Sequence, residues 1–143
     1  MADEKNQEKT ANAKTILIVE DSPVQVLALV KLLEGKGLNV LCASNGRSGV
    51  QMAQQYIPDL IILDIQMPEM DGLEACKIIK HTPSTADIPV ILLTAHTQPD
   101  VFVTGIQEGA VDFVPKDAFS EIVLLRTLAQ LNFIPDEEAA SAE

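Results

Sequence analysis

The chain of 143 residues has no apolar run approaching the ~20 residues that a membrane span requires. Residues 1–14 are polar and hold no apolar h-region, so they do not read as a secretory signal. There are only two cysteines, Cys42 and Cys76, far apart in sequence. They make neither a disulfide framework nor a zinc motif, and they suit a reducing compartment such as the cytoplasm. Bases are scarce: ten Lys and Arg stand against 21 Asp and Glu, for a net charge of −11. That balance argues against a nucleic-acid surface, which needs clustered Lys and Arg, and against docking on anionic lipid. No repeat and no internal linker interrupts the chain.

The remainder is a globular composition, 47% hydrophobic and 22% charged. Its length fits one domain able to bury a core without staples. The charge is unevenly placed. Residues 1–14 hold three acids and three lysines, which cancel, whereas residues 135–143 hold four acids and no base. Neither segment has aromatic residues or apolar periodicity, so both are expected to be flexible extensions of a folded unit over 15–134. The C-terminal acids read as a solvated tail.

Five short apolar runs divide that unit: residues 15–19 (TILIV), 39–43 (NVLCA), 59–63 (DLIIL), 89–93 (PVILL) and 112–115 (DFVP). Their length and branched residues predict strands, and their continuity predicts burial on both faces. Helical patterns separate them. Ser22-Pro23 is a start signal, a hydroxyl cap followed by proline in the first turn. Val26, Leu27, Val30 and Leu33 then recur at helical spacing and are expected to face the core, with Gly35 and Gly37 as the stop. Further helices are predicted at 46–56 (ended before Pro58), 72–81, 99–108 (stopped by Gly109) and 119–132. The inward positions of the third are Leu73, Cys76, Ile79 and the Lys80 stem. Those of the fifth are Ile122, Leu125, Leu128 and Ala129. Phe102, on the fourth, is expected to be at least partly exposed. Five βα units predict a doubly wound α/β fold, a parallel sheet with helices on both faces.

In such a sheet ligands bind beyond the carboxyl ends of the strands. Glu20 and Asp21 follow the first strand, Asp64 the third, Thr94 and Ala95 the fourth, and Lys116 the fifth. If strands one and three are neighbours, three carboxylates crowd together, and at least one pKa should rise unless a cation is present. Mg²⁺, with few protein ligands and retained waters, fits that set. Lys116 adds an ammonium and Thr94 a hydroxyl. Metal, ammonium and hydroxyl together suit three phosphoryl oxygens while a carboxylate attacks phosphorus.

At this point the chain resembles the receiver domain of two-component response regulators. The resemblance rests on Ile18-Val19-Glu20-Asp21, on the segment from Asp64 through Ile65-Gln66-Met67-Pro68-Glu69-Met70-Asp71 to Gly72, on Leu93-Thr94-Ala95 and on Val114-Pro115-Lys116, and it spans about 15–134. It implies a flavodoxin-like five-stranded sheet of order 2-1-3-4-5. It also implies that Asp64 is the phospho-acceptor, taking its phosphoryl group from a phosphohistidine on a sensor histidine kinase or histidine phosphotransfer protein. Asp21, Asp64 and the Gln66 backbone carbonyl would hold Mg²⁺, with Glu20 acting mainly through metal-bound water. Thr94, Lys116 and the Ala95 amide would bind the phosphoryl oxygens. Phe113 stands where the family has its switch aromatic. Pro68 and Gly72 would shape the turn after the acceptor. Phosphorylation would draw Thr94 inward, let Phe113 rotate, and reshape the face of the fourth helix, fifth strand and fifth helix for a downstream protein effector or a phosphorylation-dependent homodimer. The only chemistry would be self-phosphorylation and self-hydrolysis. Gln66 and His96 occupy positions that help set phosphoryl lifetime in the family.

Two departures matter. Many members have proline after the lysine, often with a cis bond; here Asp117 follows Lys116. A cis bond before a non-proline residue costs ~3 kcal/mol, so a trans bond is expected, with Lys116 aimed differently and Asp117 competing for its ammonium. Phe113 also lacks a hydroxyl, so packing must decide its position. Other classes remain to be weighed. A Mg²⁺-dependent phosphatase with an aspartyl nucleophile usually has an acid two residues on, where this chain has Gln66. No Walker motif exists, and Gly35-Lys36-Gly37 ends a helix instead of opening one, so a dinucleotide module does not fit. No helix-turn-helix is read after the fifth helix, which points to protein contacts as output, either as an effector or as a phosphorelay intermediate.

Overall fold

A computed structural model describes residues 13–67, 69–95, 99–117 and 120–135, with the backbone alone for 99–102. Pro68, His96, the Phe102 side chain and the outer parts of both proposed tails lie outside the described residues. The strands are β1 (Thr15–Val19), β2 (Asn39–Ala43), β3 (Leu60–Asp64), β4 (Val90–Thr94) and β5 (Asp112–Pro115). The helices are α1 (Pro23–Gly35), α2 (Gly46–Tyr56), α3 (Gly72–His81), α4 (Pro99–Gln107) and α5 (Ser120–Gln130). All strand pairs are parallel, in the order β2-β1-β3-β4-β5.

Alternation along the central strands feeds two cores. Leu17, Val19, Ile61, Leu63, Val90 and Leu92 pack with Val50 and Ala53 of α2 and Ala75, Cys76 and Ile79 of α3. Ile16, Ile18, Leu60, Ile62, Ile91, Leu93 and Val114 pack with Leu33 of α1 and Leu124, Leu125 and Leu128 of α5. Both faces of β3 and β4 are buried throughout, so these strands read as continuous apolar runs without alternation.

Local chemistry sets the helix ends. The Ser22 hydroxyl accepts from the Gln25 amide at 3.5 Å, Asn45 Oδ1 accepts from Ser48 at 2.8 Å, and Asp71 Oδ1 accepts from Glu74 at 2.9 Å. Each satisfies an amide the first turn leaves open. Gly37 and Gly109 take positive φ after α1 and α4. Strands β3 and β4 begin and end one residue later than the apolar runs suggest, because Asp64 and Thr94 are held in the ladder against Leu93 and Pro115.

The α1 stripe needs correction. Leu33 is buried, but Leu27 is 56% exposed, and Val26 and Val30 are only half-buried. Helix α1 is apolar on nearly every side, so spacing alone does not choose a face; Leu29, Val30 and Leu32 lean on the core while Val24 and Leu27 face outward. On α5 the expected Leu125, Leu128 and Ala129 are buried, joined by Leu124 and Thr127, while Ile122 is half-buried.

The two cysteines differ sharply. Cys42 lies exposed on β2 and Cys76 is buried in α3. Burial pushes the Cys76 thiol up to about 11. Iodoacetamide at about pH 8 should therefore label Cys42 alone in the native chain, with Cys76 reacting only after unfolding. Mass spectrometry showing two rapid labels on folded protein would contradict this packing.

Candidate functional site

The carboxyl edge of the sheet gathers the groups expected there. Val19 of β1 pairs with Leu63 of β3, so Glu20 and Asp64 leave the sheet side by side. Carboxylate oxygens of Glu20, Asp21 and Asp64 all lie within 4.8 Å of one another. Glu20 and Asp64 are each 1% exposed, and Asp21 is open to solvent.

Lys116 enters from the far side. Its ammonium is 3.0 Å from Glu20 Oε2 and 2.9 Å from Asp64 Oδ2. The Lys116 amide donates to the Thr94 carbonyl at 2.8 Å, which continues the β4–β5 ladder and fixes where the lysine stem starts. The Lys116–Asp117 bond is trans, as expected, since the described residues contain no cis peptide. The expectation that Lys116 would therefore be aimed elsewhere is overturned. A four-carbon stem leaving a fixed backbone reaches both carboxylates without a cis bond.

Electrostatics follow from burial. Burial pushes the Glu20 carboxyl above its ordinary range, and the Asp64 charge adds to the rise, while Lys116 and the Ser22 amide oppose it. For Lys116, burial works against the charged form, but the contacts with Asp64 and Glu20 outweigh it and hold the ammonium above the usual lysine value. Glu20 Oε2 and Asp64 Oδ2 have the shared Nζ at ion-pair distance and no other donor among the described residues. Three carboxylates within 4.8 Å against one ammonium, two of their buried oxygens sharing that ammonium alone, is a donor set that fits a hard divalent cation such as Mg²⁺.

The other oxygens are held by backbone. Gln66 N–H donates to Asp64 Oδ1 at 3.1 Å, and Ser22 N–H donates to Glu20 Oε1 at 3.2 Å. Thus Gln66 touches Asp64 through its amide, and its side chain is exposed. Ser22, read from sequence only as a helix cap, also orients Glu20. Any non-proline residue could supply that amide, so no side-chain signal announces it. Buried Ile65 and Met67 anchor the loop beyond Asp64. Gly72 N–H donates to the Ile65 carbonyl at 3.0 Å. A Cβ at Gly72 would strike the Asp64 carbonyl oxygen and stand 2.8 Å from Ile65 Cα, so only glycine lets α3 start this close. Thr94 is buried at the end of β4, Ala95 follows it at the surface, and Phe113 lies half-buried on β5.

The triad Glu20–Lys116–Asp64 should behave as one electrostatic unit. Lys116→Ala leaves two buried like charges facing each other and should lower stability in metal-free urea titrations by about 3 kcal/mol. Added Mg²⁺ should recover part of that loss. Asp64→Asn should instead stabilise the metal-free protein and shrink the effect of Mg²⁺. A Lys116→Ala variant as stable as wild type would show that the ammonium does not balance this pocket.

Comparison with known proteins agrees with this geometry. The family model for the response regulator receiver domain matches residues 16–128. Protein PilH of Pseudomonas aeruginosa is 40% identical over 113 residues, covering 79% of this chain and 93% of that protein. The chemotaxis protein CheY4 of Vibrio cholerae superposes with a TM-score of 0.77 at 30% identity, over 82% of this chain and 98% of that one. The receiver domain of the sensor histidine kinase PA1611 of Pseudomonas aeruginosa, with a magnesium ion coordinated in its active-site cleft, superposes with a TM-score of 0.75 at 29% identity, over 82% of this chain and 96% of that one. This chain belongs to the response regulator receiver domain family of two-component signalling.

Proposed function

We propose that Asp64 is the phospho-acceptor of this receiver domain. The observation that carries the reading is a buried carboxylate held 2.9 Å from the Lys116 ammonium with two further carboxylates within reach. An Asp64 carboxylate oxygen attacks the phosphorus of a phosphohistidine on a sensor kinase or phosphotransfer protein. A new O–P bond forms as the N–P bond breaks, and the imidazole nitrogen departs with the bonding pair. Thr94, Lys116 and the Ala95 amide receive the phosphoryl oxygens. Asp21, Asp64 and the Gln66 carbonyl would hold Mg²⁺, with Glu20 acting through water; when bound, the metal neutralises charge developing on the transferring group. The chain modifies itself and turns over no free metabolite, in the cytoplasm.

The resulting acyl phosphate alters the face of α4, β5 and α5, which a downstream protein reads. Val103, Ile106 and Val111 are exposed apolar residues there, and a phosphorylation-dependent homodimer would use the same surface. Sedimentation showing a monomer in both states would remove the dimer from this reading.

Incubation with Mg²⁺ and acetyl phosphate should give a single base-labile adduct by mass, mapped to Asp64. Asp64→Asn should abolish it; wild-type labelling of that variant would overturn the acceptor assignment. Gln66 and His96 are proposed to flank the path of hydrolytic water. Gln66→Ala and His96→Ala should change phosphoryl lifetime, and unchanged lifetimes in both would take them out of the mechanism.

A further inference from the structure

Gly105 faces the sheet from the last turn of α4 and is buried. A Cβ there would strike Cζ of Phe113 and would stand 2.8 Å from Leu92 Cδ1 and 3.1 Å from Phe113 Cε2. The missing side chain is thus a socket, and the Phe113 ring fills it.

What would yield if the socket were closed can be worked out from the neighbours. Leu92 is fully buried between the sheet and its helices. The Phe113 backbone is pinned: its amide donates to Asp112 Oδ1 at 2.8 Å, and Asp112 Oδ2 accepts from the Thr127 hydroxyl of α5 at 3.1 Å. The end of α4 is latched to α3. Cys76 Sγ lies 3.7 Å from the Glu108 carbonyl, His81 Nε2 lies 3.7 Å from Glu108 Oε2, and the Lys80 stem covers Gly109 while its ammonium donates to the Ile88 carbonyl at 2.8 Å. The half-buried ring is the part with somewhere to go.

We propose that Gly105 is the positioning residue for Phe113: the socket it leaves in α4 seats the ring in its half-buried place and sets the balance between that place and a more exposed one independently of Asp64. This rests on the reading of α4, β5 and α5 as the output face, and makes α4 a determinant of that face's resting shape.

The test follows the ring itself. The full chain is labelled with 4-fluorophenylalanine, and the Phe113 resonance is assigned by its loss in Phe113→Leu. Exposure is then read from relaxation by a soluble gadolinium chelate, with no phosphoryl donor present. Gly105→Ala should move the ring equilibrium toward the exposed position by on the order of tenfold, the scale of a local overpacking. A fluorine as shielded as in wild type would overturn the inference, since the helix or Leu92 would then have yielded. Thermal melts of Gly105→Ala in the wild-type and Phe113→Leu backgrounds guard against a variant too unstable for spectroscopy. The added methyl should cost less once Cζ and Cε2 are gone, and an equal cost in both backgrounds would also overturn it. Adduct formation at Asp64, measured by mass on the same proteins, reports separately on the acceptor assignment.

Discussion

A single ammonium placed between two carboxylates that are almost completely buried governs this molecule. Burial alone makes Glu20 costly to ionise, and the Asp64 charge beside it adds to that cost. Lys116 relieves that repulsion only because β5 lies next to β4, β4 next to β3, and β3 next to β1. The strand order is therefore an electrostatic arrangement as much as a packing one. Shuffled strands would leave the acids without their counter-charge.

The balance is incomplete. One ammonium cannot neutralise three carboxylates, and two of the buried oxygens facing it have no other donor among the described residues. A fully satisfied pocket would be more stable and less able to take up charged groups. Backbone amides from Ser22 and Gln66 meanwhile hold the remaining oxygens of Glu20 and Asp64, so the carboxylates are fixed in place while their outer lone pairs stay available.

Much of this was readable in the residues. Branched runs located all five strands, and the Ser22-Pro23 cap located the start of α1. The line of acids, hydroxyl and lysine after successive strands pointed to one edge. Other features were not readable, for identifiable reasons. Helix α1 has apolar residues all round, so Leu27 gave no sign that it faces outward. The reach of Lys116 depends on its backbone bond to Thr94, which a rule about the following residue does not contain. The roles of the Ser22 and Gln66 amides belong to the main chain and leave no trace in residue type. That Gly105 forms a socket depends on where Phe113 ends up in space, eight positions along.

The close approach of Gly72 to Asp64 also bears on how this chain can vary. Every sense change of a glycine codon adds at least one carbon, and at residue 72 that carbon would land on the main chain of Asp64 and Ile65. No neighbouring side chain can shift to make room, because the obstacle is backbone. Mutation can therefore explore the outer turns of α3 and the exposed Glu69 and Asp71, but it cannot pass gradually through this junction. The main chain at Asp64 and Ile65 and the first turn of α3 are thus tied together at Gly72, and new partner preferences must arise on surfaces that leave this junction untouched.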